Sequence, residues 1–114
     1  MTTNYFAGSP SQTQAAGIIN FASGFAKTDS GAASVSTFTP GFNPRYIKWV
    51  NVTDGIMQEW YEGMSATAET IKTIIDGTRS LETTTVIKNP GNGTFTVEAA
   101  IIVASKTHVW QAWG

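Results

Sequence analysis

His108 is the only histidine in the chain, and so the first residue to weigh for chemistry. An imidazole becomes a catalyst when a carboxylate orients it and a nucleophile lies within hydrogen-bond reach. His108 instead precedes Val109 and Trp110 in a run of strand formers, so an ordinary structural histidine is expected. Asp54, Glu59 and Glu62 make up the one acidic cluster. Glycoside hydrolysis needs two carboxylates facing a single cleft. Side chains three apart on a strand point to opposite faces, so Glu59 and Glu62 make no such pair. The alternating acids of a calcium loop are missing too. Gly91-Asn92-Gly93 has a glycine-rich look. A phosphate cradle needs fuller glycine spacing and a helix after it, and here strand formers follow. It reads as a turn. No catalytic, cofactor-binding or metal-ligating residue is assigned.

The aromatic residues carry what signal remains. Trp49, Trp60, Tyr61, Trp110 and Trp113 could fill a core, stack on a sugar or anchor a protein contact. One or two are expected inside and one or two at a subunit contact, with Trp113, beside Gly114, as the exposed anchor. The candidate interface residues are Tyr5, Phe6, Phe21, Phe25, Trp49, Trp60 and Trp113.

These side chains must be positioned by a chain of 114 residues, which is room for one domain. A chain of this size buries roughly 65% of its unfolded surface. Charged residues are only 13% of the chain and the net charge is −1. The basic residues are scattered, with no two adjacent, whereas nucleic-acid binding needs a concentrated basic face. Nucleic acid is therefore not an expected partner. Cysteine is absent, which excludes disulfide frameworks and cysteine–zinc clusters. Met1 to Pro10 has neither the basic start nor the apolar run of a secretory signal, and no stretch reaches the ~20 apolar residues that span a bilayer. A soluble protein made in a cytoplasm, with no membrane partner, is expected.

Composition shifts near residue 34. Residues 1–33 are rich in Gly, Ala, Ser and Thr, and their apolar residues show no sustained period. They read as an irregular arm with a short strand around Gly17–Phe21, or else as a disordered tail. From residue 34 onward the text is β-like. Arg45 to Thr53 is dense in strand formers, with Ile47 and Trp49 on one face and Tyr46, Lys48, Val50 and Val52 on the other. A strand apolar on both sides belongs between two packed layers or in an oligomer. Asp54-Gly55 predicts a type I′ hairpin, and Gly63 ends the next strand. Residues 64–76 fit a strand better than the helix that Met64, Ala68, Ile71 and Ile75 would also allow. Asn89 to Gly93 is a loop. Phe95, Val97, Ala99, Ile101 and Val103 alternate and predict one long strand with those residues facing the core. His108 to Trp113 is the last strand. Six to eight short strands predict an all-β fold: a single β-sandwich or jelly-roll-like domain over 34–114, with the irregular N-terminal arm over 1–33.

One stretch goes beyond generic β text. Gly41-Phe42-Asn43-Pro44-Arg45 leads into Tyr46-Ile47-Lys48-Trp49-Val50-Asn51, and Glu59-Trp60-Tyr61-Glu62-Gly63-Met64 follows. Phe95-Thr96-Val97 and Val109-Trp110-Gln111-Ala112 complete the pattern. Over about residues 34–114 the chain resembles small virion structural proteins of tailed bacteriophages, in particular capsid decoration (cement) proteins. That resemblance implies a compact β-domain, a homotrimer, bound to the major capsid protein on the outside of the head. It implies a location on the capsid surface of the virion after synthesis in the host cytoplasm. The same features fit a tail, head–tail joining or fibre-base component. From a different class, a carbohydrate-binding module would use Trp49, Trp60 or Trp113 as stacking platforms.

Overall fold

Pro, Gly, Asn and Asp cut the chain into short runs of aromatic and β-branched residues, and such runs favour pleated, half-buried strands. The computed structural model describes residues 20–31 and 34–114. The strands among them are β1 (Phe21–Lys27), β2 (Ser36–Phe38), β3 (Tyr46–Asn51), β4 (Ile56–Tyr61), β5 (Thr70–Thr73), β6 (Arg79–Glu82), β7 (Ile87–Lys88), β8 (Phe95–Val97) and β9 (Thr107–Trp113). Every strand pairing is antiparallel. Six strands form one sheet in the order β1-β9-β3-β4-β5-β6, and three form a second in the order β2-β8-β7. The expected all-β sandwich is observed.

The small sheet closes over the inner face of the large one. Ile47, Trp49, Trp60 and Ala112 from the large sheet meet Ile87, Phe95 and Val97 from the small one. Phe38 stacks on Phe95 at a centroid distance of 5.3 Å and leans on Trp49 at 5.4 Å and Trp110 at 5.7 Å. Side chains alternate along β3, so Ile47, Trp49 and Asn51 are buried while Tyr46, Lys48 and Val50 stand on the other face.

Of the expected arm over 1–33, residues 1–19 and 32–33 lie outside the described residues, and with them most of the strand expected around Gly17–Phe21; the described part holds one strand. The strand starts at Phe21 and runs to Lys27, paired with β9 along its whole length. Its inward positions are Ala22, Gly24 and Ala26, in register with Ala112, Trp110 and His108. Trp110 lies over Gly24 so closely that a Cβ there would sit 2.6 Å from the indole nitrogen. The strand is thus built to receive a large side chain, and its own sequence shows no apolar period.

Three further expectations changed or were settled. The β3–β4 connection is not a two-residue type I′ turn. Asn51 pairs with Ile56, which leaves Val52 to Gly55 in the loop, and of these Gly55 alone takes a positive φ, of 70°. The cause is Asn51: its Oδ1 accepts the Thr53 and Asp54 N–H groups and its Nδ2 donates to Asp54. That side-chain turn widens the loop. The long strand over 95–103 is not formed either. β8 stops at Val97, and Ala99–Ile101 make a 3-10 turn. β8 pairs with only three residues of β2 and two of β7, so its ladder has no partner beyond Val97. Ile101 is half-buried and Val103 is exposed. Residues 64–76 hold a strand, β5, as favoured, and no helix.

Candidate functional site

A strand whose side chains alternate gives every sheet two faces, and the small sheet covers only the inner one. Among the described residues no second sheet covers the outer face. Its side chains fall into three long rows, set by the register, with the pair Lys27 and Thr107 continuing the face beyond the third. The first is aromatic throughout: Phe21, Trp113, Tyr46 and Tyr61 lie on four adjacent strands, each the register partner of the next. Their ring centroids are 5.1, 5.0 and 4.9 Å apart in turn, all tilted. Cross-strand aromatic pairs at such spacings stabilise a sheet beyond the area they bury. The third row runs Phe25, Val109, Val50 and Met57, then Thr73 and Arg79. The middle row is Ser23, Gln111, Lys48 and Glu59, then Ile71 and Leu81. Phe25 is 71% exposed, Leu81 57%, Phe21 48% and Tyr61 40%.

Glu59 is the polar centre of this face. It is buried at 6% exposure. Tyr46 and Tyr61 donate their hydroxyls to its Oε2 at 2.6 and 3.0 Å, and Arg79 donates to its Oε1 at 2.9 Å. Burial pushes the Glu59 carboxyl up, but the two phenol bonds and Arg79 together outweigh it and hold the group below the usual carboxylate range. Burial and the Glu59 charge push both phenols above the ordinary tyrosine value. Lys48, opposite Glu59 in register, has no carboxylate at ion-pair distance among the described residues. Glu62 sits beyond β4 and pairs with Arg45 instead.

The expected interface residues divide sharply. Phe21, Phe25 and Trp113 come together on the outer face. Trp113 is not a free anchor, because Phe21 and Tyr46 hold it on either side and it is half-buried. Trp49 and Trp60 are corrected: at 1% and 5% exposure they belong to the core, since β3 and β4 turn them toward the small sheet. Neither can stack on a sugar from there. Tyr5 and Phe6 lie outside the described residues. Sequence reasoning missed the membership of Tyr46, Tyr61, Glu59 and Leu81. The signal available was that β3 is apolar on both sides.

His108 is buried, stacked on Trp49 at 5.3 Å, and its Nε2 accepts the Val103 N–H at 3.3 Å. That bond assigns the neutral ring its proton on Nδ1. Among the described residues no carboxylate or hydroxyl hydrogen-bonds the ring. Burial holds its pKa below the ordinary value, against the opposing pull of the Ala26 carbonyl and Asp54. The unfolded chain therefore takes up the proton first. Stability present above about pH 6.5 should fall as the pH drops from there toward the folded value. Thermal melts across that window should show the fall, and His108→Gln, whose amide oxygen can still accept from Val103, should abolish it. An unchanged slope in the variant would assign the fall to other groups.

A cavity of about 250 Å³ opens between β4–β6 and the 3-10 turn, with Trp49, Gln58, Lys72, Glu82 and Ile101 among its lining. The Gln58 amide is already engaged, donating to the Thr85 carbonyl at 3.1 Å and accepting from Thr70 at 2.5 Å. Among the described residues no three His, Asp or Glu side chains converge as a metal site requires, and no helix is long and apolar enough to cross a membrane. Comparisons with protein-family models, curated proteins and solved structures gave no match.

Proposed function

We propose that this chain is a non-enzymatic structural protein of a tailed-phage particle, one that binds the outside of the head and stabilises its lattice as a homo-oligomer. The observation that carries the assembly role is the outer face of the large sheet, with its aromatic row and exposed Phe25 and Leu81. Exposed aromatic and apolar side chains on one face of a sheet are the kind of surface that protein contacts use. A surface with few charges suits the same task, since charged residues are depleted at interface cores. The placement on a phage head rests on the resemblance over about residues 34–114, whose most specific stretch is residues 41–64. Those residues build β3, β4 and their hairpin, and so supply Tyr46, Lys48, Glu59 and Tyr61 to the face.

Quantitative mass spectrometry of purified particles, referenced to the major capsid protein, tests this reading. A copy number comparable to that of the capsid subunit is the expected result. A handful of copies would move the protein to the tail or to one vertex. Absence from the particle would overturn the proposal.

A further inference from the structure

We infer that the outer face of the large sheet is a two-fold self-docking surface, onto which a second copy of this chain packs face to face. The inference rests on the proposed self-assembling role and puts a two-fold pair in place of the homotrimer that the resemblance implies.

Size is the first argument. Six strands at ~4.8 Å and about six residues at ~3.4 Å give a face of about 29 by 20 Å, or about 580 Å² per copy. Two such faces bury about 1,160 Å², above the ~1,000 Å² that a specific interface needs. Aligned sheets pack face to face in just this way in β-sandwiches.

Charge selects the orientation. Lys48 and Glu59 are register neighbours on β3 and β4, the two central strands of the order β1-β9-β3-β4-β5-β6. A two-fold axis parallel to the strands, midway between β3 and β4, sets Lys48 of one copy over the site of the partner's Glu59, which is itself buried and held by Tyr46, Tyr61 and Arg79, and the reverse. The same axis sets Tyr46 over the partner's Tyr61, Val50 over the partner's Met57 and Ser23 over the partner's Leu81. An axis perpendicular to the strands would set Lys48 against the partner's Lys48, and like charges facing each other are repulsive. The parallel axis is therefore the arrangement that offsets the like charges, and it gives a closed, isologous contact. Lys48 has no ion-pair partner among the described residues, and the parallel axis offsets it by one strand from the partner's Lys48.

Sedimentation velocity of the full chain should give a dimer. Leu81→Asp changes a side chain that is 57% exposed in the single copy, so it should leave the fold unchanged by circular dichroism while weakening the dimer at least ~10-fold. The chain has no cysteine, so engineered thiols report one contact each. With Ser23→Cys and Leu81→Cys together, a bismaleimide of about 10 Å reach, matching the spacing of packed sheets, should join two copies. Ser23→Cys alone should not cross-link. A monomer at high concentration, a trimer, a dimer indifferent to Leu81→Asp, or cross-linking by Ser23→Cys alone would each overturn the two-fold arrangement. Particle counts are read independently. A monomer in solution that is abundant on particles would sink the self-docking and leave the virion role standing.

Discussion

Replacing Phe95 by alanine should cost about 3–5 kcal/mol. The ring is fully buried at the point where the two sheets meet. It stacks on Phe38 at 5.3 Å and meets the edge of Trp110 at 5.3 Å. Its removal deletes transfer free energy and leaves a cavity walled by Phe38, Trp110 and the core cluster, which strands held in two ladders cannot collapse to fill. The small sheet is the weaker partner: β2 and β7 offer three and two residues to β8. Ile87 and Val97 are its other fully buried contacts with the large sheet. Urea denaturation at neutral pH measures the loss. Ile101→Ala is the comparison, because Ile101 is half-buried on the 3-10 turn and should cost clearly less. If Ile101→Ala proved as costly as Phe95→Ala, the extended strand over 95–103 would have to be restored and the 3-10 turn abandoned.

That comparison also marks how far the sequence was legible. β3 carries Ile47 and Trp49 alternating with Tyr46, Lys48 and Val50, so its two faces could be separated before any pairing was known, but alternation alone did not say which face turned inward. Gly63, Gly91 and Gly93 marked turns, and each takes a positive φ. Alternation over 95–103 misled because period two says which side chains could face a core, and says nothing of whether a neighbouring strand is long enough to pair. β1 was hidden for the opposite reason. Its inward residues are small because Trp110 of another strand fills the space, and local sequence does not show a neighbour's bulk. The candidate surface was half legible. The second apolar side of β3 announced a contact. Its aromatic row exists only because Tyr46 pairs with both Tyr61 and Trp113, and those registers join residues far apart in the chain.

Glu59→Ala should cost about 2–4 kcal/mol, since a hydrogen bond to a charged group contributes ~1.5–3 kcal/mol and the Glu59 carboxylate accepts two from phenols. Arg79 adds little, because its side chain is 56% exposed and water screens the pair. The pH profile separates this carboxylate from a generic core defect. Its folded pKa lies below the ordinary value. Its stabilisation is thus present above about pH 4.3 and lost as the pH falls from there through the folded value. Tyr46 and Tyr61 are shifted the other way. Their contribution is present below about pH 10 and lost as the pH rises through their folded values. One carboxylate therefore shapes both arms of the profile. Thermal melts of Glu59→Ala should show a flatter acid arm and a shallower alkaline arm. The alkaline arm persists in part because burial is the largest cause of the tyrosine shifts. Glu59→Gln keeps the volume and an acceptor, and should recover roughly half of the loss at neutral pH while leaving the acid arm flat. A variant within about 0.5 kcal/mol of the parent, the ordinary range for surface positions, would mean that the phenols do not bond this carboxylate in solution. The same bonds fix the rings of Tyr46 and Tyr61 in their row, so a loosened Glu59 should also blunt the surface on which a second copy would dock.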